Sequence, residues 1–187
     1  AATSRTSAAR DLGLDPAAPT LVVLGGSLGA ARINEAVAAA ASRLVGTQVL
    51  VLAGVAHADA LRVRLPASVR VEGFLDRMEL AYAVADAVVA RAGATTCAEL
   101  ALCGIPAILV PYPHATARHQ EANARALEVA GAAEVVMDER LDGATLADRA
   151  LALLADPTRR SAMAAAGRAW SRPDAAAALA ALVRSVA

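Results

Sequence analysis

Six short apolar runs, each followed by an alanine-rich stretch of helical character, constrain this chain more than any other feature. The runs are Thr20–Leu24, Gln48–Ala53, Val69–Glu72, Ala87–Ala90, Ala107–Val110 and Ala133–Val136. They are largely apolar and rich in valine, not alternating apolar and polar, which is the pattern of strands covered on both faces. Between them the composition predicts helices over Ala30–Leu44, His57–Arg64, Met78–Val84, Thr96–Cys103 and His119–Ala130. Strict alternation of strand and helix implies a parallel sheet with right-handed crossovers. After Val136 only helices are expected, over Leu146–Ala155, Thr158–Ala169 and Pro173–Val186, with Asp156-Pro157 and Arg172-Pro173 as punctuation. The fold class is therefore α/β: a doubly wound, mostly parallel, six-stranded Rossmann-like sheet with carboxyl-terminal helices.

The 187 residues read as a single domain, long enough to bury roughly 70% of its unfolded surface. Eighteen basic residues balance eighteen acidic ones, which argues against a nucleic-acid footprint or a polybasic membrane patch. Apolar residues reach 57% with only 2% aromatics, so alanine supplies the excess and favours helices lying close to the sheet. No apolar run approaches the ~20 residues that span a bilayer, and no secretory signal opens the chain. Cys97 and Cys103 have no second pair to complete a zinc site and are expected to be reduced core thiols in a cytoplasmic protein. The lead-in "AATSRTSAARDLGLDPAAPT" predicts an amphipathic turn of helix and lacks an initiator methionine, as a piece of a longer protein would.

In such sheets ligands sit beyond the carboxyl ends of the strands. Four loops there carry unusual residues. The first, Gly25-Gly26-Ser27-Leu28-Gly29, joins a strand to a helix. Its glycines allow close backbone approach, and the helix start offers free N–H groups and about half a positive charge to an anion. On the residues alone, a phosphate cradle and a tight turn capped by Ser27 both stay open. A dinucleotide fingerprint fails because the second strand ends "VLVLAG" without an acid, and a Walker loop fails for want of Gly-Lys-Ser/Thr. The pattern does satisfy G-x-S-x-G, the nucleophile elbow of hydrolases, with Asp86 and His119 as paper partners for Ser27. Only 26 residues precede Ser27, however, and no His-Gly-Gly segment lies upstream to supply an oxyanion hole.

The second loop, Gly73-Phe74-Leu75-Asp76-Arg77-Met78, puts apolar surface and backbone groups at a strand end. It can seat a flat base, although packing under a helix start capped by Asp76 is the simpler reading. In the third, "ARAGATTCAELALCGIPAILVP", Thr95 can cap a second helix aimed at the same cleft. Glu99, one turn in, can accept both hydroxyls of a ribose diol. Alternatively, Thr96 and Glu99 form part of a capping box, the simpler reading on the residues alone. The fourth loop, "PYPHATARHQEANARAL", sets His119 and Gln120 side by side at a helix start, where they can hydrogen-bond sugar hydroxyls. His57 and His114 read as structural or solvated. Together the four loops suggest a nucleotide-sugar site.

At these loops the chain resembles the carboxyl-terminal half of the MurG family of bacterial glycosyltransferases, which add N-acetylglucosamine to the lipid-linked muramoyl-pentapeptide of peptidoglycan synthesis. The resemblance covers essentially all 187 residues and is most specific in "GGSLGAARIN", "RAGATTCAELALCGIPAILVPYP" and "HQEANARALEVAGAA". It implies the donor-binding half of a GT-B fold over residues 1–187, with an amino-terminal acceptor domain absent from this chain. By this resemblance Gly26, Ser27 and Gly29 contact the diphosphate of UDP-N-acetylglucosamine, and Leu75 presents backbone groups to uracil with Met78 nearby. Ala94, Thr95 and Thr96 lie near the phosphates and sugar, Glu99 holds the ribose hydroxyls, and His119 and Gln120 read the sugar. The chain departs from the family at Leu28, often glutamine, and at Ala117-Arg118, where acidic or amide residues are common.

The reaction so implied is an inverting transfer to a lipid acceptor, without a metal or other cofactor. The catalytic base is expected in the missing domain, and the full protein is expected to be cytoplasmic and peripheral on the inner face of the membrane. A donor subunit of a split, two-chain transferase, as in the dolichol pathway, a nucleotide-binding module without transfer chemistry, and a dehydrogenase-type domain are the alternatives. The last helix is expected to cross back to the missing domain.

Overall fold

The computed structural model describes residues 3–25 and 30–186. Six parallel strands form one sheet: β1 (Thr20–Leu24), β2 (Gln48–Leu52), β3 (Val69–Glu72), β4 (Ala87–Ala90), β5 (Ala107–Leu109) and β6 (Ala133–Val135). Their spatial order is β3-β2-β1-β4-β5-β6, and every neighbouring pair is parallel. The chain thus winds outward from β1 to one edge and then returns to lay β4 against the other side of β1. That reversal, with Leu21 opposite Ala87 and Leu24 opposite Ala90, is the topological switch point.

Alternate residues of the four inner strands, β1, β2, β4 and β5, supply two separate cores. Leu21, Val23, Val49, Val51 and Val89 face one layer, which holds α2 (Ala31–Ala40), α3 (Ala58–Arg64) and α7 (Gly143–Ala155). Val22, Leu50, Val88 and Leu109 face the other, which holds α1 (Arg5–Leu12), α4 (Met78–Val84), α5 (Ala94–Cys103) and α6 (His119–Val129). The continuous apolar strands follow from this burial on both sides. Alanine at 8, 9, 36, 40, 81, 101, 124, 147 and 150 lets the helices approach the sheet and each other. Two further helices, α8 (Pro157–Trp170) and α9 (Ala175–Val186), complete the chain.

Helix ends show where local signals are overruled. α2 stops at Ala40, four residues before the expected Leu44, and turns through Gly46 at φ 84°. α4 has Arg77 at its N-cap position and no side-chain cap, so Asp76 does not cap it. α5 begins at Ala94 behind an extended Gly93, again with no side-chain cap. Thr95 and Thr96 therefore lie inside the first turn, and neither the Thr95 cap nor the Thr96–Glu99 capping box is formed. Cys97 is buried, and burial pushes its thiol up to about 11. Cys103 is exposed and is not a core residue, because six positions of helix turn it away from the Cys97 face. In α9 the apolar side chains Leu179, Leu182 and Val183 are all exposed.

Candidate functional site

The switch point places two strand exits side by side. Gly25 leaves β1 with its N–H donated to the Leu52 carbonyl at 2.9 Å, and Arg91 leaves β4. The buried Asn34 of α2 donates from Nδ2 to the Ala53 carbonyl at 3.0 Å, tying α2 to the exit of β2. Gly26, Ser27 and Gly29, the expected diphosphate contacts, lie outside the described residues, as does Leu28. What the structure does give is the start of α2 at Ala31, with Ala30 extended at the N-cap position and no side-chain cap.

A cavity of about 300 Å³ opens at this edge. Its floor is apolar and comes from strand ends: Leu24, Leu52 and Ala90. One wall is the β3–α4 connection, where Leu75 and Met78 pack on the core and Phe74 remains 57% exposed. The opposite wall is α5, through Thr96 and Glu99. Of the residues singled out from sequence, Leu75, Met78, Thr96 and Glu99 are brought together here. Ala94 and Thr95 stand exposed in the first turn of α5 and do not line the cavity.

Glu99 has found a partner that the sequence reading missed. The Tyr82 hydroxyl of α4 donates to Glu99 Oε2 at 2.6 Å across 17 positions of sequence. Burial first, and the adjoining Glu99 carboxylate second, push the Tyr82 phenol well above its ordinary pKa, so it remains a donor. Burial, with the Glu99 charge second, likewise raises the Cys103 thiol one turn further along α5. Met78 and Tyr82 are i and i+4 on one helix, a spacing that sets them on one face and could have flagged Tyr82.

Arg91 is the second residue missed. Its side chain, only 15% exposed, lines the cavity and pairs with Asp138 at 2.5 Å while donating to the carbonyls of Val110 and Pro111 at 3.2 and 3.3 Å. It also lies 5.5 Å from the centre of the Tyr112 ring. As the first residue beyond a central strand, it stood at the position where function concentrates.

The fourth loop lies farther along the same edge. A second cavity of about 150 Å³ is bounded by Tyr112, Arg118, Glu121 and Asp138, among others. Neither His119 nor Gln120 lines this cavity or the first. His119 is exposed, its Nδ1 2.8 Å from the Thr116 carbonyl, and Gln120 Oε1 accepts the Tyr112 N–H at 3.0 Å. Ala117 and Arg118, where the chain departs from the family, both take positive φ, at 50° and 53°. Residues with a Cβ adopt that conformation at a cost, and such strain gathers at functional loops.

The hydrolase alternative fails on topology. Asp86 sits at the amino end of β4, where Arg5 and the Thr20 N–H each hold its Oδ2 at 2.8 Å. It therefore lies at the opposite edge of the sheet from the strand exits that carry a site.

An all-parallel sheet wound in this order, with its crevice beyond the central strand ends, has the architecture of one half of a GT-B glycosyltransferase. The chain belongs to glycosyltransferase family 28: residues 20–179 match that family's C-terminal domain. Among its relatives, a protein of Frankia casuarinae is 41% identical over 181 residues, covering 94% of this chain and 48% of the relative. One of Solidesulfovibrio magneticus is 42% identical over 175 residues, covering 86% and 48%. Both are named UDP-N-acetylglucosamine--N-acetylmuramyl-(pentapeptide) pyrophosphoryl-undecaprenol N-acetylglucosamine transferase. The crystal structure of Acinetobacter baumannii MurG superposes with a TM-score of 0.80 at 26% identity, over 99% of this chain and 54% of that one. The chain thus spans about half the length of the relatives it matches (48% for both named here).

Proposed function

We propose that this chain is the donor-binding half of an inverting N-acetylglucosaminyltransferase and binds UDP-N-acetylglucosamine at the switch-point crevice. The observation that carries the reading is the single cavity uniting an apolar floor, Leu75, Thr96 and Glu99. A pyrimidine fits against Leu24, Leu52 and Leu75. The ribose then meets Glu99, and the diphosphate extends toward the amino ends of α2 and α5. Gly26, Ser27 and Gly29 would complete that cradle, and Ala94 and Thr95 stand where the phosphates or sugar would pass. His119 and Gln120 would reach the N-acetylglucosamine only after exchanging their present bonds for sugar hydroxyls.

The chemistry asked of these residues is electrostatic. As the acceptor hydroxyl attacks the anomeric carbon, negative charge builds on the departing UDP. The free N–H groups and dipoles of two ten-residue helices, aimed at that charge, stabilise it without a cation. The base that removes the hydroxyl proton must approach from the far side of the sugar. We assign it, with the lipid-linked muramoyl-pentapeptide acceptor site, to the portion of the relatives that this chain does not match. The reaction would then take place at the cytoplasmic face of the membrane. Among the described residues no helix is long and apolar enough to cross a bilayer.

Calorimetric titration with UDP-N-acetylglucosamine, UDP and NAD tests the reading. Binding of the first two and not the third is expected. Binding of NAD alone, or of none, would refute it. The chain by itself is expected to bind donor without transferring sugar to a lipid acceptor.

A further inference from the structure

We propose that Tyr82 is a positioning residue for Glu99 and, through it, sets the preference of the site for ribose over deoxyribose nucleotides. The inference rests on the donor-site reading above and adds a residue that the reading does not require. Its basis is the 2.6 Å bond from the Tyr82 hydroxyl to Glu99 Oε2, made between two helices that wall the same cavity.

A glutamate on a cavity wall is a poor reader of a diol unless its carboxylate plane is fixed. The terminal torsion of a glutamate is broad and nearly two-fold, so an unrestrained carboxylate presents its lone pairs in many directions. Two vicinal hydroxyls need acceptors in one orientation. The short, charge-assisted bond from Tyr82 pins one oxygen and so fixes the plane of the other. Among the described residues, Oε1 has no protein donor, and it is not a buried orphan. It is left for hydroxyls arriving in the cavity.

The tyrosine is suited to that task. Its ring packs against the core beside Met78, so the hydroxyl is delivered from a fixed base. Burial and the carboxylate together raise the phenol's pKa, so the hydroxyl stays a donor. The glutamate plays no part in capping its own helix, whose N-cap is Gly93. A site built to satisfy hydroxyls rejects the analogue lacking one, because its acceptor is then desolvated without a partner. Loosening the acceptor should erase that discrimination before it erases binding.

The test compares UDP with 2′-deoxy-UDP on the wild-type chain and on Tyr82→Phe, by isothermal titration calorimetry, with thermal melts to establish folding. Wild type is expected to prefer UDP. Tyr82→Phe keeps the ring and should weaken UDP roughly 3- to 10-fold, the range of one hydrogen bond, while 2′-deoxy-UDP changes by less than about two-fold. The preference for UDP then falls by a factor of about 2 to 10. An equal loss for both nucleotides, or an unchanged preference in the variant, overturns the role given to Tyr82 and leaves Glu99 as the diol reader. A wild-type chain that does not distinguish the two nucleotides overturns the reading of Glu99 and the proposal with it.

Discussion

Arg91 offers the most direct test of how the crevice is held together. Its guanidinium joins three elements: it leaves β4, donates to the carbonyls of Val110 and Pro111 beyond β5, and pairs with Asp138 beyond β6. Arg91 is 15% exposed and Asp138 19%, so neither charge is well solvated. Replacing Arg91 with alanine leaves a carboxylate and two carbonyls short of a donor. Breaking a fully buried pair costs about 3–5 kcal/mol. The residual access of Asp138 to water lowers that to about 2–4 kcal/mol. For a chain of this length each kcal/mol moves the melting temperature by about 2–4 °C, so Arg91→Ala should melt roughly 4–16 °C lower. Asp138→Ala should cost less, about 1–2 kcal/mol, because Arg91 keeps its carbonyls and the Tyr112 ring. In the double variant the orphaned carboxylate is gone, and the loss should fall short of the sum of the two by at least about 1 kcal/mol. Urea unfolding of the four proteins followed by circular dichroism gives that coupling. Single losses that add to within about 0.5 kcal/mol would show that the pair is a solvated surface contact and refute the argument.

Other expectations follow from named contacts. Glu99→Ala should weaken UDP by about 1–3 kcal/mol, roughly 5- to 150-fold, in titration calorimetry; unchanged affinity would leave the carboxylate without a ligand role. Gly143→Ala should destabilise the fold by about 1–3 kcal/mol, read from thermal melts, because a Cβ there would stand 2.6 Å from the Ala39 Cβ and 2.7 Å from its carbonyl carbon. Asp142 caps α7 by accepting the Thr145 N–H at 2.7 Å, and that bond, the largest cause, holds its carboxyl below the usual range. The folded state therefore binds this proton less readily than the unfolded one. The cap's contribution is complete above the ordinary carboxylate pKa and is lost as pH falls through the depressed value. Melts of Asp142→Ala should accordingly lie below wild type at neutral pH and converge on it in acid. Chelation with EDTA should leave UDP-N-acetylglucosamine affinity unchanged if helix termini meet the diphosphate charge.

What the sequence disclosed is what burial on both faces dictates. The inner strands were legible because Leu21–Leu24, Val49–Leu52 and their neighbours cannot alternate when helices cover both sides of the sheet, whereas the edge strand β3 alternates buried Val69 and Val71 with exposed Arg70. Their parallel pairing followed from the alternation of elements and the right-handed crossover, whereas the order β3-β2-β1-β4-β5-β6 came from the structure. Helix starts were harder. Thr95 and Thr96 carry every local mark of a cap, yet Gly93 holds that position and both threonines are taken into the helix. Residues 38–44 offer no breaker, so the end of α2 at Ala40 has no local signal. Of the cavity lining, Leu75, Met78 and Glu99 were singled out by which loops leave the carboxyl edge, and Thr96 by the family resemblance. Tyr82 and Arg91 escaped because their roles depend on partners 17 and 47 positions away. His119 and Gln120 were legible as a polar pair, but a strained backbone at Ala117 and Arg118 turns them onto protein groups.

The two edges of the sheet divide stability from function at the same pair of strands. From β1 the chain leaves into α2 on one face, and from β4 into α5 on the other. A crevice opens between connections that diverge in this way. The amino ends of β1 and β4, at the opposite edge, are fastened by one partly buried network. Arg5 there donates to the carbonyls of Pro16, Ala18 and Val84 at 2.8–2.9 Å and to Asp86 at 2.8 Å, while the Thr20 N–H reaches the same carboxylate. One guanidinium thus fastens the entries of both central strands and the end of α4, the helix that carries Tyr82. At the carboxyl edge, Arg91 with Asp138 is the well-shielded charge pair, while Arg70 with Glu72, Arg77 with Glu79 and Arg118 with Glu121 are more exposed. Among the described residues Glu99 is held by the phenol of Tyr82 and not by a cation.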